Sequence, residues 1–226
     1  MNLADFEQLV RQRKTVKYLA QQALPVSDHS ATIRRLLECG GWAPFHKICS
    51  VEHRTADPSA DSDKLTGIEP WRFHVLSAAN CRKLSERVVD LPAAGKIPAM
   101  LSAADAMIMA TWLPNPPAHE AIATGEAFEP TLGNVEHIAA ASAAVQSLLL
   151  AATAAGIDNY WSSGGVLRSA EMFEQLGIPA AERLLGAIFL FPRAHAETEN
   201  MELAESKLRP QRTPLSAWTR WIELSE

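Results

Sequence analysis

Cysteine is scarce in this 226-residue chain, and the three present form no pattern. Cys39, Cys49 and Cys81 make neither a Cys-x-x-Cys pair nor an even-numbered framework, which argues against a disulfide scaffold. Reduced thiols are expected, and with them a cytoplasmic protein. Excess positive charge is also lacking. Lys and Arg number 21 against 26 Asp and Glu, a net charge of −5. That balance argues against a general binder of nucleic acid or anionic membrane. Met1–Glu7 is acidic and amphipathic and lacks the charged and apolar regions of a secretory leader. The longest apolar stretch is interrupted by Glu136, His137 and Gln146, so no membrane span is expected. No Gly-x-Ser-x-Gly marks a hydrolase, and no internal repeat or linker divides the chain.

What is present is enough apolar sequence, 47%, for a sizeable core. Phe6, Leu9 and Val10 have helical spacing within residues 5–13. Ser27 reads as the N-cap of a helix carrying Ile33, Leu36 and Leu37 and stopping at Gly40-Gly41. Residues 71–76 read as a strand, 78–89 as a polar helix, and 103–112 as a run into an apolar strand. Four prolines make 114–130 a long surface loop. Residues 134–155 form the strongest helix, apolar or small on nearly every face. Such a helix must be buried all round, by a sheet on one side and a partner subunit on the other. The plainer alternative is the central helix of a monomeric core. Short strands are expected at 159–161 and 184–191, with a helix at 172–176 between them. The tail from Ser206 is basic, then aromatic, and is expected to pack on something. Strands and helices interleave, which gives one α+β domain over 1–226.

Three segments suit an anionic, planar ligand. Arg13-Lys14-Thr15-Val16-Lys17 supplies forked donors for phosphate and a hydroxyl. Trp42-Ala43-Pro44-Phe45-His46-Lys47 supplies a rigid turn, two aromatic surfaces and an imidazole. Trp161-Ser162-Ser163-Gly164-Gly165 is a turn whose backbone can approach a ring closely. Each has an ordinary reading as well, since short basic runs are usually solvated and Gly-rich turns are common. His46, Cys49 and His53, beside Glu52, have loosely metal-like spacing but lack a fourth ligand, so no metal is expected.

Taken in order, these segments resemble the FMN-dependent nitroreductase family. The first is similar to its Arg-Arg-Ser-x-Arg opening. Ala43-Pro44-Phe45-His46-Lys47 resembles its Ala-Pro-Asp-His-Lys loop, and Glu69-Pro70-Trp71-Arg72-Phe73 its Gln-Pro-Trp-His-Phe strand start. Gly156 to Gly164 resembles Gly-Phe-Gly-x-x-Trp-x-Ser-Gly, and Arg209 with Arg212-Thr213-Pro214-Leu215 its basic, Pro-containing tail. The resemblance covers most of residues 5–215.

It implies a central, mostly antiparallel sheet flanked by helices, with the long helix at a homodimer interface. It implies FMN, with NADH or NADPH as hydride donor and a nitroaromatic, quinone or similar small molecule as acceptor, in ping-pong order and without a catalytic protein nucleophile. By position, Arg13, Lys14, Thr15, Arg209 and Arg212 would hold the ribityl phosphate, with Lys17 near a carbonyl or ring nitrogen. Trp42, Pro44, Phe45 and His46 would approach from the other subunit. Trp161, Ser162, Ser163 and Gly164 would line the ring. The chain departs from the family at Phe45, where the similar loop is acidic, and at residues 48–68, a polar segment lying between two halves of one motif. That segment reads either as a solvated excursion or as a lid over the acceptor pocket. The same fold also supports dehalogenation, desaturation or oxygen-dependent flavin cleavage, and a non-catalytic flavin-binding module is the remaining alternative.

Overall fold

A computed structural model describes residues 2–54, 65–115, 128–192 and 201–224. Helix α1 (Leu3–Gln12) opens with a reciprocal cap: the Asp5 N–H donates to Asn2 Oδ1 at 3.0 Å and the Asn2 N–H to Asp5 Oδ2 at 2.9 Å. Strand β1 (Val16–Ala20) follows directly. Helices α2 (Ser30–Gly41) and α3 (Val51–Arg54) precede strand β2 (Trp71–Ser77). Then come α4 (Ala78–Val88), α5 (Ile97–Ala103), β3 (Ala106–Trp112) and α6 (Leu132–Ala154). Strand β4 (Ile157–Ser162), helix α7 (Ala170–Gln175) and strands β5 (Arg183–Pro192) and β6 (Met201–Glu205) complete the order.

Four strands form one antiparallel sheet in the order β2-β3-β5-β4, with pairs such as Trp71 opposite Trp112 and Trp161 opposite Ile188. β3 sits inside the sheet and is buried at all seven residues, hence its unbroken apolar sequence. β1 and β6 form a separate antiparallel pair, joined to the larger sheet by a bridge from Thr15 to Asn159. One sheet face carries Met107, Met109, Phe189 and Phe191 against α4 and α5. The other carries Ile108, Ala110 and Ile188 against α2 and α6.

Several expectations change. α2 begins at Ser30, not after Ser27, because the Asp28 carboxylate accepts the Ser30 N–H at 2.9 Å and the entry turn closes there. Gly40 lies inside α2 and sets how closely that helix meets α6. A Cβ at Gly40 would come within 3.2 Å of the Ala144 carbonyl oxygen. By length and composition alone α6 could cross a membrane, since Glu136 is its single formally charged residue, but 44% of its apolar window is buried inside the chain, as in a core helix. Within the single chain, Ala140, Ala141, Ala144, Leu148 and Ala152 of α6 face the core, while Leu132, Val135, Ala139 and Gln146 are exposed on the side where a partner subunit is expected. The basic start of the tail meets the head of β1, where the Ser206 N–H donates to the Thr15 carbonyl at 3.2 Å, while its aromatic end stands exposed, Trp221 at 92%. β1, β6, α3 and α5 were not anticipated. Most of the 114–130 loop lies outside the described residues.

Candidate cofactor site

The pairing of the two sheets decides which of the three segments meet. The Thr15–Asn159 bridge lays β1 beside β4, so the basic segment runs alongside the strand that ends in the Ser-Gly turn. Lys17 then reaches the Tyr160 ring, its Nζ 4.5 Å from the centroid. At the start of β1 the tail returns. Arg209 donates to the carbonyl oxygens of Arg11 and Arg13, the latter at 3.4 Å, which fixes the tail against the end of α1. Burial of the Arg13 guanidinium, with repulsion from Arg209 and Arg212, lowers its pKa from the ordinary value. Arg13 and, some two hundred residues later, Arg209 and Arg212 thus share one electrostatic neighbourhood, a poor arrangement unless an anion sits among them. Lys14 is already engaged, in an ion pair with Glu205 on β6.

The turn after β4 is built for close approach. Ser162 is buried, and its hydroxyl accepts the Gly164 N–H at 3.2 Å. Gly164 has φ +106°, and a Cβ there would come within 2.6 Å of Leu184 Cδ2. Arg168, missed by the sequence reading, braces the turn: Nε donates to the Ser163 carbonyl and Nη2 to the Leu185 carbonyl at 3.2 Å. Burial lowers its pKa. Trp161 crosses β5 at Gly186, where a Cβ would lie 2.2 Å from the indole Nε1. Ser163 remains exposed at the rim.

The middle segment occupies the sheet end where β2 begins and β3 finishes. Ala43 is buried against Trp71, Trp112 and Ala140, and Phe45 meets Trp71 edge-on at 5.5 Å. Lys47 pairs with Glu136 of α6 at 3.3 Å, tying the loop to the long helix. Pro44 and His46 are exposed, and Trp42 is 90% exposed, so it contacts no surface of its own chain that could hold it. These residues are not brought against the Arg13 cluster within the chain.

The two ends of the 48–68 segment are joined. The Cys49 N–H donates to the Ile68 carbonyl at 3.0 Å. Arg72, buried at the start of β2, donates to the carbonyls of Glu69, Trp71 and Gly67 at 2.8, 2.7 and 2.8 Å. His53 is buried, its Nε2 3.0 Å from the Pro114 carbonyl oxygen. Cys49 and His53 are therefore directed to separate backbone carbonyls, those of Gly67 and Pro114, while His46 is exposed. No sequence signal marked Arg72 or Arg168, because their acceptors are backbone carbonyls set by tertiary structure.

An α+β fold, with a four-stranded antiparallel sheet and a long helix packed on one of its faces, is the class these features define. The chain belongs to the nitroreductase family, whose model matches residues 62–190. Among solved structures, it is similar to a nitroreductase-like family protein from Bacillus cereus at 19% identity and TM-score 0.62, covering 99% of this chain and 98% of that one. A proposed nitroreductase from Desulfovibrio desulfuricans, in complex with FMN, matches at 21% identity and TM-score 0.57 over 100% and 99% of the two chains. A nitroreductase with bound FMN from Bacteroides fragilis matches at 13% identity and TM-score 0.52 over 99% and 100%. A search of curated proteins found no match.

Proposed function

We propose that this chain is an FMN-dependent oxidoreductase that works as a homodimer. The observation that carries the reading is the gathering of Arg13, Arg209 and Arg212 at the head of β1, one bridge away from the strand leading to Trp161–Gly164. A phosphate dianion fits there, since burial and repulsion from Arg209 and Arg212 lower the Arg13 pKa and an anion would offset both. Thr15 adds a hydroxyl, and Lys14 joins by exchanging Glu205 for phosphate. Lys17, parked on Tyr160, supplies a cation toward the ring. The Ser162–Gly164 turn, held by Arg168, offers backbone to the ring edge and keeps a rigid wall behind it. When bound, FMN supplies the redox chemistry, relaying hydride from NADH or NADPH to a nitroaromatic, a quinone or a similar small acceptor in ping-pong order.

Two surfaces support the dimer. Trp42 at the end of α2, and the outward side of α6 at Leu132, Val135 and Ala139, are exposed and apolar, as are Trp218, Trp221 and Leu224 of the tail. A second copy covering them would bring Trp42, Pro44, Phe45 and His46 to the partner's flavin. The same reading makes the chain one catalytic domain in the cytoplasm. The clamped base of the 48–68 segment favours a role in shaping the acceptor pocket, and with it the possibility of another flavin chemistry on this fold.

The reading is tested by titrating flavin-free protein with FMN. Tight binding is expected, with bleaching by NADH or NADPH and reoxidation by a quinone. Arg13→Ala combined with Arg212→Ala should weaken FMN by at least about tenfold. Protein that takes up no FMN would overturn the proposal.

A further inference from the structure

A cavity of about 280 Å³ lies away from the Arg13 cluster, at the free edge of the four-stranded sheet. Its walls come from β2, α4 and the end of α7. Three of the lining side chains are cations or become so: His74 of β2, and Lys83 and Arg87 of α4. Lys83 and Arg87 are four residues apart on one helix face, so their charges project side by side. Neither makes a hydrogen bond or ion pair with any described residue. No acidic side chain lines the cavity among the described residues, and Asn80 and Gln175 add amide donors.

His74 is held from behind. Its Nε2 lies 2.8 Å from Oε2 of Glu182, a buried carboxylate that also accepts the Thr111 hydroxyl. That contact commits Nε2 to Glu182 and leaves Nδ1 as the ring nitrogen without a described partner. Protonated, the ring donates Nε2–H to the carboxylate and presents Nδ1–H and positive charge to its surroundings.

We propose that this cavity binds a phosphate monoester with a small apolar body. Donors on a strand and on two turns of a helix match an acceptor with several oxygens and double charge better than a planar carboxylate. Leu84 and Leu176 line the remainder and suit an apolar ester group rather than free phosphate. The inference does not depend on the flavin reading.

Calorimetric titration with phenyl phosphate and with inorganic phosphate tests it. The titrations use FMN-loaded protein and, separately, the Arg13→Ala/Arg212→Ala variant, so that the Arg13 cluster competes in neither. Phenyl phosphate should bind in both forms and more tightly than inorganic phosphate. Lys83→Ala with Arg87→Ala, both exposed positions, should weaken it by at least about tenfold at unchanged thermal midpoint. Undiminished binding in the Lys83/Arg87 variant, or no binding of phenyl phosphate, overturns the proposal. Equal affinity for inorganic phosphate overturns its ester part. Failure to load FMN sinks the cofactor reading but leaves this test intact in the Arg13/Arg212 variant.

Discussion

Gly186 shows how a single residue positions the site from beneath. It lies on β5 under Trp161, and an added Cβ would lie 2.6 Å from the Ser162 carbonyl oxygen as well as against the indole. Neither neighbour is the end of a flexible chain, since one is a ring packed in the sheet and the other is backbone. Gly186→Ala should therefore push β4 away from β5, at a cost of about 1–3 kcal/mol, in the range of other overpacked interiors. Chemical denaturation measures that cost, and an FMN titration should show weaker binding because the Ser162–Gly164 turn moves with the strand. An unchanged midpoint with unchanged FMN affinity would show that Trp161 is free to give way. Sequence reading found this strand as Leu185-Gly186-Ala187-Ile188 but gave no reason for its glycine. The reason is a side chain 25 positions earlier that only the β4–β5 register brings overhead.

At the scale of elements, what was legible follows from local chemistry. β3 and β5 were anticipated because their apolar residues are contiguous, β2 because Trp71, Phe73, Val75 and Leu76 follow Pro70, and α6 because no proline interrupts its 23 residues. β1 was not, because its start overlaps the basic run from Arg13 to Lys17 that was read as a ligand-binding segment, although Val16, Tyr18, Leu19 and Ala20 are buried. Its partner β6 is polar, with only Met201 and Ala204 half-buried, and nothing local announces a strand. The pair is held by long-range contacts, among them Lys14 with Glu205. That ion pair lowers the Glu205 pKa, first through the hydrogen bond from Lys14 and then through its charge. A depressed folded-state pKa stabilises above the unfolded carboxylate pKa, and the contribution is lost as pH falls through the folded value. Both side chains are well exposed, so the screened gain is at most a few tenths of a kcal/mol. Glu205→Gln should be slightly less stable than wild type at pH 7, by urea midpoint, and indistinguishable from it once Glu205 is protonated in acid. A difference that persists in acid would place the effect in packing of β6 rather than charge.

For the whole molecule, the proposed dimer turns on which face of α6 is buried in its own chain and which is left open. The sequence presents both as apolar or small, so periodicity could not separate them. The structure does so by contact. Ala144 is 0% exposed, and its carbonyl stands against Gly40 of α2, so this position belongs to the monomer's own core. Val135 lies on the same helix but is 52% exposed, beside Leu132 and near the loop that Lys47 ties to Glu136. A charge at each position should therefore fail differently. Ala144→Glu buries an unpaired carboxylate between two helices and should prevent folding, seen as aggregation or loss of the cooperative transition. Val135→Glu should leave helix content and the thermal transition of a folded chain while halving the mass measured by light scattering. Because Trp42 and His46 are expected to reach the partner's flavin, the monomer should also lose FMN even though its own Arg13 cluster is intact. A Val135→Glu protein that stays dimeric and retains FMN would move the interface elsewhere, with the exposed Trp218 and Trp221 of the tail as the next surface to charge.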